Sequence, residues 1–280
     1  MSSGDRQAWT TGALVLALTG QGSEQLQAAA RDVLVELGLE VPGGFDGVER
    51  EAAAARAAAP VLQVASLLRG PGQAWADQSD AALQAQGRAS AQMPPVLAER
   101  LFPRLAGLLE ALQAPGAQML DIGTGVAAMA VGYAQRFPAL TVVGLDIFPR
   151  ALELAAQRVA GAGVGDQVVF REQDVATLDD VARYALAWLP APFLPSAVLY
   201  AAAPRVVRSL APGGWLILAH GKLPTDPLDV ALDRLRTAAF GGTSLDDAEA
   251  QQLLREAGLQ DISTAPTPPG APSITVGRVA

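Results

Sequence analysis

The 280-residue sequence contains no cysteine and a single histidine, His220. The absence of cysteine excludes disulfides, thiolate catalysis and cysteine-ligated zinc. One histidine argues against a histidine-based metal centre, so we expect chemistry that is independent of metal. Charged residues make up 17% of the chain, with 28 acidic against 20 basic side chains. That balance disfavours nucleic acid and anionic membranes as partners, because both attract basic surfaces.

Long hydrophobic runs are also missing. No apolar run approaches the length that spans a bilayer. The short run at 13–18 has no net basic flank before it and no small-residue cleavage pattern soon after it, so no secretory leader is predicted. Half of the residues are apolar, which is typical of a globular protein with a large core. We therefore expect a soluble, cytoplasmic protein.

The first 112 residues are rich in alanine and predict helices without strands. Helical patterns cover 5–19, 24–37, 49–69, 77–91 and 94–112. Their apolar faces favour a helical cap or dimerisation domain at 1–112, and with it a homodimer. The polar segment 75–95 is either a lid over a ligand or an ordinary solvated helix face. Gln92 and Met93 in this segment are candidate substrate contacts.

The stretch 119–138 carries the strongest indication of function. Leu120 and Ile122 flank Asp121 in a short strand, and an amphipathic helix follows as far as Pro138. Gly123 and Gly125 join strand to helix, and their lack of a side chain lets a ligand approach the backbone. A strand that enters a helix through glycines predicts a binding edge for a nucleotide-like ligand.

Strands and helices alternate through the remainder of the chain. Further strands are predicted at 141–146, 168–172, 184–188 and 215–220, with helices between them. This alternation indicates βαβ units and a mostly parallel sheet. The last two strands, at 261–265 and 273–279, are separated only by a proline-rich loop, so we expect them to pair as an antiparallel hairpin.

The glycines alone leave two ligands open. Gly123, Gly125 and Ala128 also satisfy the dinucleotide fingerprint, which keeps a nicotinamide dehydrogenase as an alternative. Asp121 lies two residues before the first glycine, where a carboxylate repels pyrophosphate and attracts a cation. Asp146 and Asp174 place further acids at the ends of the next two strands, on the same edge of the sheet. The three acids favour a ribose-bearing cation.

Four motifs together resemble the class I S-adenosylmethionine-dependent methyltransferases of the bacterial small-molecule type. They are LDIGTG, VVGLD, VVFREQD and LAPGGWLIL, all within 118–280. The resemblance implies an α/β fold with a Rossmann-like sheet of seven strands in the order 3-2-1-4-5-7-6, preceded by the all-helical region. It also implies that S-adenosyl-L-methionine is the cofactor, bound by a domain at 113–280.

The resemblance assigns cofactor contacts to the glycine turn and the strand ends. Asp146 would accept the ribose hydroxyls, with Ile147 against the adenine. Asp174 would accept from the adenine amine, and the Val175 N–H would donate to the ring. The full implied set is Asp121, Gly123, Thr124, Gly125, Asp146, Ile147, Asp174, Val175 and Trp188. The chain departs from the family at Ala127, where a glycine is frequent, and in a fourth strand without an acid or asparagine near its tip.

Methyl transfer needs a nucleophile held in line with an activated methyl group. His220, at the end of the last parallel strand, is a candidate general base, against the alternative of a histidine bonded to a nearby loop. Phe193 and Met93 would form an apolar substrate wall. The predicted function is methylation of a small, largely apolar metabolite, and oxygen is the atom that we expect to be methylated. The alternative is a protein of this fold that binds the cofactor but catalyses a reaction such as cyclisation.

Overall fold

The computed structural model describes residues 10–17, 23–36, 58, 61–62, 75, 78–221, 227–267 and 272–280. Residues 10–17 are helical, and the later helices are α1 (Glu24–Glu36), α2 (Asp80–Ser90), α3 (Met93–Arg100), α4 (Leu108–Gln113), α5 (Ala128–Arg136), α6 (Pro149–Ala162), α7 (Ser196–Ser209), α8 (Pro227–Phe240) and α9 (Asp247–Glu256). The strands are β1 (Gln118–Ile122), β2 (Thr141–Asp146), β3 (Val168–Glu172), β4 (Tyr184–Pro190), β5 (Leu210–His220), β6 (Gln260–Ala265) and β7 (Ser273–Arg278).

All of these strands form one sheet in the order β3-β2-β1-β4-β5-β7-β6. The pairs from β3 through β5 are parallel, whereas β7 pairs antiparallel with both β5 and β6. The predicted fold class, strand order and terminal hairpin are therefore confirmed. Within the described residues, no helix is both long enough and apolar enough to cross a bilayer.

The helical region departs from the prediction in detail. Helix α2 begins after Ser79, whose hydroxyl accepts from the Ala82 N–H. The helix predicted at 94–112 is divided into α3 and α4 by a 3₁₀ turn at Phe102–Arg104. Pro103 lies inside that turn and has no N–H to continue an α-helix. The helix predicted at 49–69 lies largely outside the described residues, and the domain boundary at 112 stays a prediction.

The core has a layer on each face of the sheet. Met119 and Trp188 pack with α3, α4 and α5 on one face, whereas Leu120 packs with α7 and α9 on the other. Because successive side chains in a strand alternate, Asp121 faces the same side as Met119. The acid at the end of β1 is thus directed toward the layer that includes the helices preceding the sheet.

Candidate cofactor site

The turn between β1 and α5 has three residues in the left-handed backbone region. The φ angles are +64° at Gly123, +55° at Gly125 and 57° at Ala127. Glycine adopts this conformation without strain, whereas alanine at the third position pays about 1–2 kcal/mol. The Thr124 N–H donates to the Leu145 carbonyl at 2.9 Å, which ties the turn to the neighbouring strand. The turn is thereby fixed at the carboxyl edge of the sheet.

Asp121 is 2% exposed, and its Oδ2 accepts a hydrogen bond from the Thr124 hydroxyl at 2.7 Å. Burial raises the pKa of Asp121 to about 6, although the Thr124 hydrogen bond lowers it, and the charge of Asp146 raises it further. Gly144 makes room for this arrangement, because a Cβ there would lie 2.9 Å from the Thr124 side chain. A glycine inside β2 therefore supports the acid at the end of β1.

Asp146 lies at the end of β2, beside the same turn. Its Oδ2 accepts from the Gly125 N–H at 2.8 Å, and its Oδ1 accepts from the Phe148 N–H at 3.0 Å. Burial raises the pKa of Asp146, and hydrogen bonds from the backbone N–H groups of Phe148, Gly125 and Ile147 offset only part of that rise. Throughout the described ranges, neither Asp121 nor Asp146 forms an ion pair with lysine or arginine.

These two acids fit a ligand that carries positive charge and hydroxyl groups. Buried carboxylates without a cation are costly, so a cationic ligand relieves both of them. A pyrophosphate beside Asp121 and Asp146 would add charge repulsion instead. The glycine turn is also covered by α2, since a Cβ on Gly87 would lie 2.2 Å from Val126 Cγ2. The arrangement therefore favours S-adenosylmethionine over a nicotinamide dinucleotide.

The predicted adenine contacts continue along the same edge. The Asp146 carbonyl accepts from the Gln173 N–H at 3.0 Å, so the ends of β2 and β3 are adjacent. Ile147 is 52% exposed directly beyond Asp146, which leaves an apolar surface free for a ring. Asp174 is exposed and its Oδ1 accepts from the Ala176 N–H at 2.8 Å, while Val175 is buried. The structure brings these residues together, and their cofactor contacts stay predictions.

Trp188, the last of the predicted cofactor contacts, and the predicted substrate residues fall in separate places. Trp188 pairs in register with Asp121 and belongs to the hydrophobic core. Gln92 and Met93 lie at the start of α3, where the next residue, Pro94, packs against α5. Phe193 lies beyond the end of β4 in ring contact with Trp75, at a centroid distance of 5.4 Å. Only Trp188 is thereby placed against the acid of β1 by strand pairing.

The structure contradicts the general-base hypothesis for His220. Its side chain has no exposed surface, and Nδ1 lies 3.0 Å from the Gly221 carbonyl. Nε2 lies 2.9 Å from the hydroxyl of Thr275 on the antiparallel neighbour β7. Burial lowers the pKa of His220, against smaller opposing effects of the nearby carbonyls. Both ring nitrogens are engaged, so this histidine joins the hairpin to β5.

In the part of the chain that the structure describes, no three histidine, cysteine or acidic side chains are placed to share a metal ion.

Part of the chain matches a known protein family. Residues 119–214 match the family described as Methyltransferase domain. The 27-O-demethylrifamycin SV methyltransferase of Amycolatopsis mediterranei is 33% identical over 167 residues, covering 58% of this chain and 60% of that protein. The chain spans only part of the curated relatives that it matches first, down to 20% of a ribosomal RNA small subunit methyltransferase H of Leifsonia xyli.

Solved structures are similar in fold to this chain over nearly all of its length. An O-methyltransferase family protein from Burkholderia thailandensis gives a TM-score of 0.68 at 16% identity, covering 98% of this chain and 95% of that chain. Human N-acetylserotonin methyltransferase, in complex with S-adenosylmethionine, gives 0.66 at 15% identity, covering 100% and 99%. At such identities the likeness shows the fold alone. The domain match at 119–214 and the shared fold support the predicted family, enzyme class and cofactor.

Sequence reasoning missed several residues that shape the site. Gly87 lies inside a helix and Gly144 inside a strand, and both permit a close approach by another segment. A glycine in the middle of a regular element is an indication that could have identified them. Phe240 was missed as well, because an aromatic residue at the end of a helix has no distinguishing pattern.

Proposed function

We propose that the protein transfers a methyl group from S-adenosylmethionine to an oxygen of a small, largely apolar molecule. The observation that carries the proposal is the pair of buried acids at the glycine turn, Asp121 and Asp146, which lack a cationic partner in the described chain. The similarity to 27-O-demethylrifamycin SV methyltransferase supports a small-molecule acceptor. So does the likeness in fold to N-acetylserotonin methyltransferase.

The residues of the site would bind and orient the two reactants. Asp146 would hold the ribose, while Asp121 would face the positively charged end of the cofactor. When bound, the cofactor supplies a methyl group that its sulfonium has already activated. Holding an oxygen in line with that methyl accounts for roughly 7–11 kcal/mol of barrier reduction by positioning alone. Because His220 is engaged, an acceptor that ionises readily, such as a phenol or an enol, suits this site.

Two measurements test the proposal. Calorimetry of the purified chain with S-adenosylhomocysteine should show binding to one site, and the absence of binding at millimolar ligand would rule the proposal out. Incubation with methyl-labelled S-adenosylmethionine and a panel of phenols and enols should then give a labelled ether. Conversion of an acceptor without label would instead favour the cyclase-type alternative.

Dimerisation stays a prediction. Val33 and Val35 on α1, in the helical region predicted to dimerise, are 38% and 72% exposed, and exposed apolar side chains are a feature that a second copy could cover. Light scattering on the purified chain, with Val35→Glu as the variant, decides between monomer and dimer. A dimer that the variant weakens supports the prediction.

A further inference from the structure

Three aromatic rings meet beyond the end of β4. Trp75 stacks on Phe240 at a centroid distance of 5.3 Å and lies 5.4 Å from Phe193, and the latter two rings are 4.8 Å apart. We call these three residues the aromatic trio. Trp75 precedes α2, Phe193 follows β4, and Phe240 ends α8, so the trio joins three distant parts of the sequence.

The segments that carry Phe193 and Phe240 are bound to each other. The Thr243 N–H donates to the Ala191 carbonyl at 2.9 Å, and its hydroxyl donates to the Leu194 carbonyl at 2.8 Å. A Cβ on Gly242 would lie 1.8 Å from the Pro192 carbonyl oxygen, so the two segments touch backbone to backbone. Phe193 and Phe240 therefore keep their relative positions, whereas Trp75 comes from a separate part of the sequence.

The trio is connected to the cofactor turn through neighbouring residues on two sides. Trp75 also packs against the cluster of Leu83, Val126 and Leu154, and Val126 is the residue after Gly125. On the other side, Phe193 is three residues beyond Pro190, whose ring lies 3.8 Å from a Cβ built on Gly123. The trio is thus linked to the cofactor turn by contact with the Val126 cluster and, along the chain, by Pro190.

One polar atom in the trio has no partner. The indole Nε1 of Trp75 is buried and makes no hydrogen bond, a rare condition for an indole N–H. Nothing else in the three rings is polar, and the nearby acids disfavour an anionic guest. A neutral, planar molecule matches the ring faces, and an oxygen on that molecule would satisfy the indole.

We propose that the acceptor is a neutral aromatic molecule with a second oxygen, which accepts a hydrogen bond from Trp75 Nε1 while its rings lie against Phe193 and Phe240. This inference rests on the proposed methyl transfer and names the substrate class for that site. Because Nε1 has no exposed surface while the trio is closed, the guest displaces the edge of the indole to reach it. Trp75 is thus a specificity-determining residue that distinguishes oxygenated rings from plain ones.

A matched pair of probes tests this donor. 7-Hydroxycoumarin and 2-naphthol are bicyclic phenols of similar size, but only the first carries a carbonyl oxygen as a second acceptor. Calorimetry with the S-adenosylhomocysteine-loaded protein, at a pH where both phenols are neutral, should show about tenfold tighter binding of the coumarin. In Trp75→Phe that preference should disappear, because the ring remains and the donor is lost.

Two further variants control for the ring itself. Phe240→Leu keeps the donor and should weaken both probes by a similar factor, so that their ratio persists. Trp75→His restores a ring N–H and should recover part of the preference even if the phenylalanine variant folds poorly. An unchanged ratio in Trp75→Phe, or no probe bound by the loaded wild type, overturns the inference. Failure of the wild type to bind S-adenosylhomocysteine is a separate result and overturns the proposed function instead.

Discussion

Two acidic positions near opposite ends of the parallel strands differ in what surrounds them. Asp180, just before β4, bonds to the Arg171 guanidinium at 2.6 Å, to that of Arg183 at 3.1 Å and to the Tyr184 hydroxyl at 2.8 Å. Burial opposes ionisation there, yet the Tyr184 and Arg171 hydrogen bonds hold the pKa of Asp180 below its usual value. At the carboxyl end, Asp121 has no such cation, and its pKa rises to about 6.

The contrast supports the proposal that Asp121 and Asp146 bind a ligand whereas Asp180 is a structural acid. Asp180 is ion-paired and hydrogen-bonded within the chain itself. Asp121 and Asp146 carry a desolvation cost that hydrogen bonds within the described residues compensate only in part, which is typical of functional sites. His220 resembles Asp180 in this respect, because it is buried at the carboxyl end of β5 but has hydrogen-bond partners on both ring nitrogens.

Removal of one acid of each kind should give opposite phenotypes, and this is the largest effect we expect. Asp146→Ala removes the proposed acceptor of two ribose hydroxyls, and hydrogen bonds to charged groups contribute about 1.5–3 kcal/mol each. We therefore expect at least a hundredfold loss of S-adenosylhomocysteine affinity by calorimetry. Asp180→Ala should leave that affinity within a few-fold of wild type.

Asp180→Ala should instead lower the free energy of unfolding. Without Asp180, the Arg171 guanidinium and the buried Tyr184 hydroxyl lose a partner, so unfolding in urea should show about 1–3 kcal/mol of lost stability. If Asp180→Ala lost the ligand as completely as Asp146→Ala, the division into structural and binding acids would be wrong.

Asp121→Asn should uncouple stability from binding. The amide keeps the shape of the carboxyl group and can still accept from the Thr124 hydroxyl, but it removes an uncompensated buried charge. At pH 7.5 we expect the ligand-free variant to be about 1–3 kcal/mol more stable than wild type, by urea unfolding. Its affinity for S-adenosylmethionine should nevertheless fall by at least tenfold. A variant that is both less stable and unimpaired in binding would contradict this assignment.

The same acid should impose a pH dependence on the wild type. The folded-state pKa of Asp121 is about 6, above the ordinary value of 3.8. The folded protein therefore binds the proton more tightly, and the stability from protonated Asp121 is lost as pH rises through about 6. Between pH 5 and 7.5 we expect ligand-free wild type to lose roughly 1–1.5 kcal/mol relative to Asp121→Asn. Affinity for the cationic cofactor should change in the opposite sense and increase over this pH range.

The features that the sequence predicted correctly are those encoded in short, contiguous stretches. The mostly parallel sheet followed from alternating patterns, and its strand order from the family resemblance that motifs such as LDIGTG carry. The acids at the strand ends follow the strands directly. The final hairpin followed from a loop too short for a crossover helix. Each of these depends on a few neighbouring residues, so the chain displays them without a structure.

The features that were missed or wrong depend on contacts between distant segments. His220 occupies the expected position on β5, but its partners Thr275 and Leu245 come from elements that are 55 and 25 residues away. The aromatic trio likewise combines residues from three parts of the chain. Contacts of this kind produce no periodic pattern in the sequence, because each residue alone resembles an ordinary core position.

Two glycines in helices give the smallest and most local test. In α2, a Cβ on Gly87 would meet Val126 Cγ2 at 2.2 Å, whereas in α6 a Cβ on Gly161 would meet nothing within 4 Å. Gly161→Ala should stabilise the protein by about 0.5–1 kcal/mol, since alanine is the better helix former. Gly87→Ala gains the same propensity but must displace α2 from the glycine turn, at a cost of typically 1–3 kcal/mol. Calorimetry should show weaker S-adenosylhomocysteine binding for Gly87→Ala alone; equal binding by both variants would mean that α2 does not close the cofactor site.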